Sequence, residues 1–519
     1  MAQSKYKPIS FTTTMRNPER IGYFLKCLAR YEGQILNNDL IDDIVFDVIR
    51  EKLYKPTIIN SIPEYSTIYN SEESFSDTQL ADIVEKSPQQ HKEAGFDAGW
   101  PSRFDTWYKI TMEFGFANYA IDEPIKISET GHMLIDAISE EKVNDEKIQN
   151  IFLNTMAKYQ TSNPYRKVLN DNVPLVLLLQ VIKMFRDSDE SFSGISRQEL
   201  SLFICWPNNN ARALYELIKK MRKDIGVSKY TDEVIYNTCL AILGYGEEGK
   251  NYIKIDKVVG EAVDEYIRKM RITGIISLRG NGRFIDWNTL KLEKIEHVLN
   301  DYSDYELFED PEEYYNYMGS IDSVLLERET GEDDDTIFDI RQATLSRLAE
   351  EYTSEMIYKE LENVSSKKES KDELLKFIPA PARYEFLVSI ALVQSFPDLT
   401  VKPNYPIDDE GIPTSTASGG MGDIECEDSM AEIIEVTLMQ GRAQVSAEML
   451  PITRHLIDLE QFTKKDKAAI FIAPSIHADA KRYTEWIRFK ENVIICPYTT
   501  VEFIEECKNK NTLSELINV

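Results

Sequence analysis

The stretch Met421-Gly-Asp-Ile-Glu-Cys-Glu-Asp428, followed by Ala431-Glu-Ile-Ile-Glu-Val-Thr-Leu438, predicts two neighbouring β-strands. Similar patterns around it predict a helix at 374–395 interrupted at Pro379 and Pro381, a helix at 443–462, a strand at 467–473, a helix at 478–490 and a strand at 492–496. The resulting order α, β, β, α, β, α, β indicates a compact α/β domain over residues 373–519.

Two acidic residues of these strands are candidate ligands of a metal ion. Asp423 begins one strand and Glu435 lies on the next, twelve residues later. Such a pair can share one divalent ion, and carboxylate oxygens are ligands that Mg²⁺ prefers. A bound ion of this kind activates water and stabilises charge on a scissile phosphate. The alternative is an ordinary acidic pair on a solvated strand edge.

The spacing matches the PD-(D/E)xK pattern of nucleases, with one departure. Thr437 stands where that pattern has a lysine. Lys464, Lys465 and Gln440 are nearby, but the sequence does not assign the role of the missing lysine to any of them.

The N-terminal half predicts a first sub-domain at 1–145. Residues 17–55 have helical periodicity, residues 56–102 are polar and irregular, and residues 103–145 resemble a small strand-and-helix module of winged-helix type.

A second sub-domain is predicted at 146–300. The apolar run 173–179 indicates a buried helix, and the Ser196-x-x-Glu199 capping box precedes a helix, a turn at 206–211 and a basic helix at 211–223. Residues 271–285 predict a hairpin around Gly280-Asn-Gly282. A hairpin after helices is typical of a winged helix, so the fold class is multidomain α+β, with a helical and winged-helix half before an α/β domain.

Charge is distributed unevenly along the 519 residues. Residues 301–340 hold 15 acidic residues and one arginine, which is about half of the net charge of −29. The remainder is only mildly acidic, so the net charge does not exclude a local nucleic-acid-binding face. The acidic segment and the charged helical segment after it predict a linker at 301–372. A structural or protein-interaction role for the acidic segment is an alternative.

Other classes of protein are disfavoured. No apolar run approaches the length of a membrane span, and the N-terminus lacks the apolar core of a secretory signal. The six cysteines contain no CxxC pair, which argues against zinc modules and disulfide scaffolds. Buried free thiols in a reducing cytoplasm are the expected state.

Basic residues of the N-terminal half are candidates for DNA contact. A helix such as 211–223 could enter a major groove, and hairpin arginines could contact the backbone or bases. The alternative for each is a solvated basic face. The candidates are Arg103, Arg212, Lys219, Lys220, Arg222, Arg271, Arg279 and Arg283.

Several stretches resemble the AlwI-type family of type IIS restriction endonucleases, which includes enzymes with GAGTC and GGATC targets and a strand-nicking member. The most specific are IIEVTLMQGRAQVSAEMLPITRHL (433–456) and AIFIAPSIH (469–477). In the N-terminal half, NPERIGYFLKCLARYEGQ (17–34), segments within 173–210 and RITGIISLRGN (271–281) are similar too.

The resemblance implies a cleavage site at Glu385, Asp423, Glu435 and Glu448. The family motif has threonine at the position of Thr437. Arg454 and His455 of the Pro-x-Thr-Arg-His motif are expected to contact phosphate or the cleavage site, or else to cap the helix at 443–462.

The function implied is Mg²⁺-dependent cleavage of double-stranded DNA beside a short asymmetric site, in the bacterial cytoplasm. A transient homodimer or a small second nuclease subunit, and a cognate methyltransferase in the same system, would accompany it. Alternatives are a strand-specific nicking subunit of a heterodimeric enzyme and a non-cleaving DNA-binding protein with a decayed nuclease domain.

Overall fold

The chain forms two compact units in a computed structural model. The residues described are 15, 17–71, 73–140, 143–188, 194–251, 253–304, 306–327, 334–417, 422–427, 431–460 and 467–517. The first unit comprises Met1–Ser139 and Glu146–Arg328, and the second comprises Glu140–Asp145 and Glu329–Val519. The predicted division of the first unit near residue 145 stays a prediction.

The first unit is mostly helical. Its α-helices are Arg20–Ala29 (α1), Asn38–Arg50 (α2), Ile58–Ser61 (α3), Pro63–Asn70 (α4), Asp77–Glu85 (α5), Trp100–Glu113 (α6), Glu129–Ser139 (α7), Asp145–Met156 (α8), Pro174–Arg186 (α9), Leu200–Cys205 (α10), Ala211–Asp224 (α11), Asp232–Ile242 (α12), Ile255–Val259 (α13), Glu261–Arg271 (α14), Leu292–Asp301 (α15), Pro311–Gly319 (α16) and Ser323–Leu326 (α17). Its strands are Ala117–Asn118 (β1), Lys126–Ile127 (β2), Ile195–Ser196 (β3), Ile276–Arg279 (β4) and Phe284–Trp287 (β5).

Two sequence predictions in this unit were wrong. The segment 56–102 is not irregular, because it contains α3, α4 and α5. The start of 103–145 is the helix α6 rather than a strand. Pro101 occupies the first turn of α6, where a missing N–H costs nothing, and Phe104, Trp107 and Tyr108 recur at helical spacing on its buried side.

The predicted hairpin at 271–285 is confirmed. β4 and β5 pair antiparallel, and β3 pairs with the other edge of β5 to give the order β3-β5-β4. The capping box is also present, because Ser196 N donates to Glu199 Oε2 at 2.8 Å and Glu199 N donates to Ser196 Oγ at 3.2 Å. Helix α9 is buried on nearly every side, as its continuous apolar run predicts.

Parts of the segment 301–372, which was predicted to be a linker, pack within the two units. In the first unit, Tyr314 and Met318 of α16 are fully buried, and the Tyr314 hydroxyl donates to the Glu113 carbonyl at 3.1 Å. In the second unit, Ile357 and Leu361 are buried. The composition of this segment predicts a spacer, but the apolar residues between its acidic ones are buried within the two units.

The second unit is a five-stranded sheet covered by helices. Its strands are Thr400–Pro403 (β6), Ile424–Glu427 (β7), Ala431–Val436 (β8), Lys467–Ala473 (β9) and Ile495–Thr499 (β10). Its α-helices are Asp334–Glu351 (α18), Ser354–Ser365 (α19), Ala380–Ser395 (α20), Leu450–Glu460 (α21), Ala478–Glu491 (α22) and Thr500–Asn509 (α23).

The sheet order is β10-β9-β8-β7-β6, with β8, β9 and β10 parallel and β6, β7 and β8 antiparallel. The predicted order of elements is present, with the additional strand β6 and helix α23. Ile433 of β8, Ile452 and Leu456 of α21 and Phe471 of β9 share one buried core. This core fixes α21 against the sheet.

All six cysteines are buried thiols, as expected. No helix in the described ranges combines the length and the apolar character that crossing a membrane requires.

Candidate active site and nucleic-acid interface

Asp423 lies directly before β7 and opposite Glu435 of the adjacent strand β8. The antiparallel register pairs Ile424 with Ile434, and one step further along this register places Asp423 across from Glu435. Because directly opposed residues of a sheet point to the same face, both carboxylates lie on one side of the sheet. The sequence spacing alone left this juxtaposition open.

Both carboxylates are largely buried, with relative exposures of 4% for Asp423 and 5% for Glu435. The backbone N–H of Val436 donates to Asp423 Oδ2 at 2.8 Å. On the other side, the Asn404 N–H donates to the Asp423 carbonyl at 2.9 Å. The ends of β6, β7 and β8 are therefore joined around Asp423.

Gly422 permits the close approach of these strands. A Cβ at this position would lie 2.2 Å from Ile433 Cγ2, and 3.7 Å from Glu435 Oε1. The first contact is far below van der Waals distance, so a larger residue would displace the Ile433 side chain of β8. Gly422 thus lets the chain deliver Asp423 beside Glu435.

Glu435 is also contacted from α21. The Nδ1 atom of His455 lies 3.1 Å from Glu435 Oε1, and the His455 side chain is 17% exposed. Of the alternatives for His455, the structure brings it to the candidate site. Arg454, the preceding residue, is exposed.

Glu448 lies in a π-helical turn, Val445–Met449, that leads into α21. Turns of this kind are rare in proteins, and those that occur are frequently found at functional sites. The turn is anchored by Gln444, which is fully buried and had no signal in the sequence analysis. Gln444 Nε2 donates to the carbonyls of Met439 (3.0 Å) and Ser475 (2.8 Å), and its Oε1 accepts from His477 N (2.9 Å).

Glu385 lies within α20 and is 3% exposed. Its Oε2 accepts a hydrogen bond from Ala417 N at 3.1 Å. Burial raises the pKa of the nearby Tyr405 hydroxyl, and the charge of Glu385 adds to that rise. Glu385 is therefore an interior carboxylate, which is unusual for glutamate without a specific role.

The donor set suits a hard cation with an incomplete protein shell. Within the described residues, no group of three or more His, Cys, Asp or Glu side chains is arranged to hold a metal ion. Mg²⁺ commonly takes one or two carboxylates together with water and substrate phosphates, which Asp423 and Glu435 could provide. Lys464 and Lys465 lie outside the described residues, and Gln440 is exposed.

Several of the arginines predicted to contact DNA are engaged within the first unit. Arg103 Nη1 lies 2.7 Å from His91 Nε2 and its guanidinium stacks on Tyr54. Arg271 is only 4% exposed. Arg279 Nε donates to an oxygen of Asp286 at 3.1 Å. The burial of Arg271 in particular disfavours direct contact with DNA.

The other predicted contacts differ in exposure. Arg283 is exposed at the β4–β5 turn, and its guanidinium has no hydrogen bond or ion pair with the described part of the chain. The Arg212 side chain is 71% exposed beside Glu216 at 3.0 Å. Lys219 Nζ donates to the Tyr215 hydroxyl at 3.1 Å, and Lys220 is exposed.

Arg222 instead forms a buried ion pair. Its Nε and Nη2 each donate to one oxygen of Glu199 at 2.8 Å. Arg186 also contacts Asp286 without any local signal in the sequence, and its Nη2 donates to Asp286 Oδ1 at 3.0 Å. Asp286 therefore holds Arg186 and Arg279 together at the base of the hairpin, a long-range arrangement with no local sequence signal.

A family model described as AlwI restriction endonuclease matches residues 112–376 and 335–505. The chain belongs to the AlwI restriction endonuclease family. This match confirms the resemblance seen in the sequence. By its family, the chain is a restriction endonuclease. Comparison with curated protein sequences gave no match.

Three solved structures are similar to this AlwI-family chain. The small subunit of the heterodimeric restriction endonuclease R.BspD6I is 22% identical, over 30% of this chain and 77% of that chain, with a TM-score of 0.25. Restriction endonuclease FokI is 11% identical over 96% of both chains, with a TM-score of 0.27. FokI bound to DNA is 10% identical over 99% of this chain and 98% of that chain, with a TM-score of 0.25. Family membership rests on the sequence match and not on these low TM-scores.

Proposed function

We propose that this protein is a type IIS restriction endonuclease, which cleaves double-stranded DNA beside a short asymmetric site with Mg²⁺. The observation that carries the proposal is the pairing of two buried carboxylates, Asp423 and Glu435, across adjacent strands in an AlwI-family chain. Burying carboxylates costs free energy even where they accept hydrogen bonds, so a chain without a use for these two would lose them readily. This argues against a decayed nuclease domain.

Asp423 and Glu435 would hold the metal ion, as in PD-(D/E)xK nucleases. The ion would supply a nucleophilic hydroxide at neutral pH and neutralise charge on the scissile phosphate. The protein's part is to orient the carboxylates, through Val436 N on Asp423 and His455 on Glu435. Glu448 and Glu385 would complete the cleavage site.

The first unit would recognise DNA. The order of the elements supports a winged-helix-like module. Helix α9, strand β3, helix α10 and the further helices through α14 precede the β4–β5 hairpin, which belongs to a three-stranded sheet. Arg283 on the hairpin turn and Arg212 with Lys220 on α11 are the contacts that exposure favours. Phosphate contacts would position the duplex, and contacts to base edges would specify the site.

One catalytic centre cuts one strand, so a double-strand break takes a second centre from another copy or another subunit.

Unmethylated supercoiled plasmid, incubated with and without Mg²⁺ and followed by run-off sequencing of both strands, tests the whole proposal. Discrete breaks at a fixed offset from one sequence, only with Mg²⁺, are expected. Discrete open circles without linear product would identify a nicking subunit. Specific DNA retardation without any cleavage would overturn the nuclease proposal in favour of a binding protein.

A further inference from the structure

The second strand of the candidate site ends without the cation that the PD-(D/E)xK pattern would supply. Thr437 has that position, and its Oγ1 accepts a hydrogen bond from Met439 N at 3.0 Å. Its N–H donates to the Ile472 carbonyl at 3.0 Å. Thr437 therefore closes the turn that leaves the strand, and a hydroxyl used in this way does not replace a lysine.

A nitrogen donor reaches the site from another element. His455 projects from α21, and its Nδ1 lies 3.1 Å from Glu435 Oε1. The two side chains are 17% and 7% exposed, so water competes weakly for this contact. The sequence separates them by twenty residues, and nothing in the local pattern joins them.

The position of the imidazole is fixed by packing. Leu456, which follows His455, and Ile452, one turn before it, are each 1% exposed and share a core with Ile433. Ile433 lies two residues before Glu435 and therefore on the same face of β8. The helix that carries His455 is thus held against the face of the strand that carries Glu435.

We propose that His455 is a positioning residue for Glu435 and orients it as a metal ligand. This inference rests on the proposed function. An ionised carboxylate only accepts hydrogen bonds, so the facing Nδ1 must carry the proton. Both the neutral Nδ1–H tautomer and the imidazolium meet this condition.

Each of the two carboxylates is then oriented by a contact from a nitrogen atom to one of its oxygens. Asp423 Oδ2 is fixed by the backbone N–H of Val436, and Glu435 Oε1 is fixed by His455. Fixing one oxygen sets the plane of a carboxylate and the direction of its other oxygen. Hydrogen-bond partners of metal ligands typically change metal affinity or activity about 10–100-fold when removed.

The test uses the full chain and compares four variants. H455A removes the donor. H455N keeps an amide nitrogen at the same number of bonds from the backbone as Nδ1, whereas H455Q moves it one bond further. I457A, at an exposed position on the same helix, is the matched control. The readouts are binding of Mn²⁺ alone by electron paramagnetic resonance, the Mg²⁺ concentration for half-maximal plasmid cleavage, and thermal unfolding without metal.

We expect H455A to weaken Mn²⁺ binding and to raise the required Mg²⁺ about 10–100-fold. H455N should recover most of this loss, H455Q less, and I457A should match the wild type. Unchanged metal dependence in H455A, or an equal loss in H455N and H455Q, would overturn the positioning role. If H455A does not fold, the comparison of H455N with H455Q decides the question.

Failure of the proposed function has a different signature. A wild-type protein that neither binds Mn²⁺ nor cleaves DNA refutes the metal site itself. A wild type that does both, with H455A indistinguishable from it, refutes only the role of His455.

Discussion

The acidic residues of the second unit and the arginines of the first behave differently as sequence predictions. Asp423 and Glu435, chosen from a strand pattern, lie opposite each other in the sheet. Of the arginines chosen as DNA contacts, Arg271 is buried and Arg279 pairs with Asp286, whereas Arg283 is exposed. Reasoning from local sequence patterns thus brought together the acidic residues of the second unit, but it chose exposed arginines only in part in the first unit.

The difference has a physical cause. Ile424 and Ile434 are buried on one face of the sheet and Ile433 is buried on the other, and a slip by one residue would turn the side chains of the shifted strand to the opposite faces. Asp423 directly precedes Ile424 and Glu435 directly follows Ile434, so the register of these isoleucines also places the two carboxylates. An arginine has a long side chain with five donors, and many carboxylates lie within its reach. Its partner is decided by tertiary structure.

The largest expected effect tests the acidic pair. D423N removes one charged ligand while keeping the shape of the side chain and an oxygen that accepts from Val436 N. We expect cleavage to fall at least about 10³-fold, because the nucleophile and the transition-state charge both depend on the metal. Specific DNA binding, measured by gel retardation, should be unchanged.

E427Q is the matched control for D423N, because Glu427 lies on the same strand at its other end. Its cleavage rate should equal that of the wild type. Wild-type cleavage by D423N would show that Asp423 does not hold the metal.

The sequence predicted the strands of the second unit and the hairpin of the first because their apolar patterns are local. Strand β6 was missed, since four residues containing one lysine and one proline have no distinctive pattern. The segment 301–327 was taken for part of a linker because its composition is acidic. Only tertiary contacts, such as the burial of Tyr314, include it in the first unit.

The candidate site was predictable where the motif is carried by strands, and less so elsewhere. The roles of Gly422 and Gln444 depend on contacts between segments distant in sequence. The contact of His455 with Glu435 spans a helix and a strand, and the motif left it as one of two alternatives. Such contacts are set by packing of whole elements, which no local pattern describes.

The next prediction concerns an arginine that the structure assigns to stability. R222M leaves Glu199, which is fully buried, without its bidentate partner. Breaking a buried ion pair in this way costs about 3–5 kcal/mol. Urea unfolding, followed by tryptophan fluorescence, should show this loss, while the affinity of the folded protein for DNA stays the same. The double variant R222M/E199Q should recover part of the stability, and a loss of affinity without a loss of stability would instead identify Arg222 as a DNA contact.

A smaller effect is expected at the hairpin turn. R283A removes an exposed guanidinium that has no hydrogen bond or ion pair with the described part of the chain, so stability should not change. If Arg283 contacts a phosphate, affinity should fall for all sequences alike, and the salt dependence of binding should decrease by about one unit of slope. R279A provides the contrast, because it leaves Asp286 with one arginine fewer and should lower stability as well. Unchanged affinity in R283A would exclude the hairpin turn from the interface.

The smallest effect distinguishes a DNA-facing helix from a solvated one. Arg212 and Glu216 form an exposed pair one turn apart on α11, and such pairs contribute less than about 1 kcal/mol to stability. If this face of α11 lies along the DNA backbone, R212A should weaken binding by about threefold and E216Q should strengthen it, because the first removes attraction and the second removes repulsion. Salt titration of both variants by fluorescence anisotropy measures this. Opposite shifts can come only from electrostatics, whereas shifts in the same direction would mean that both variants disturb the helix itself, and no shift in either would assign the face to solvent.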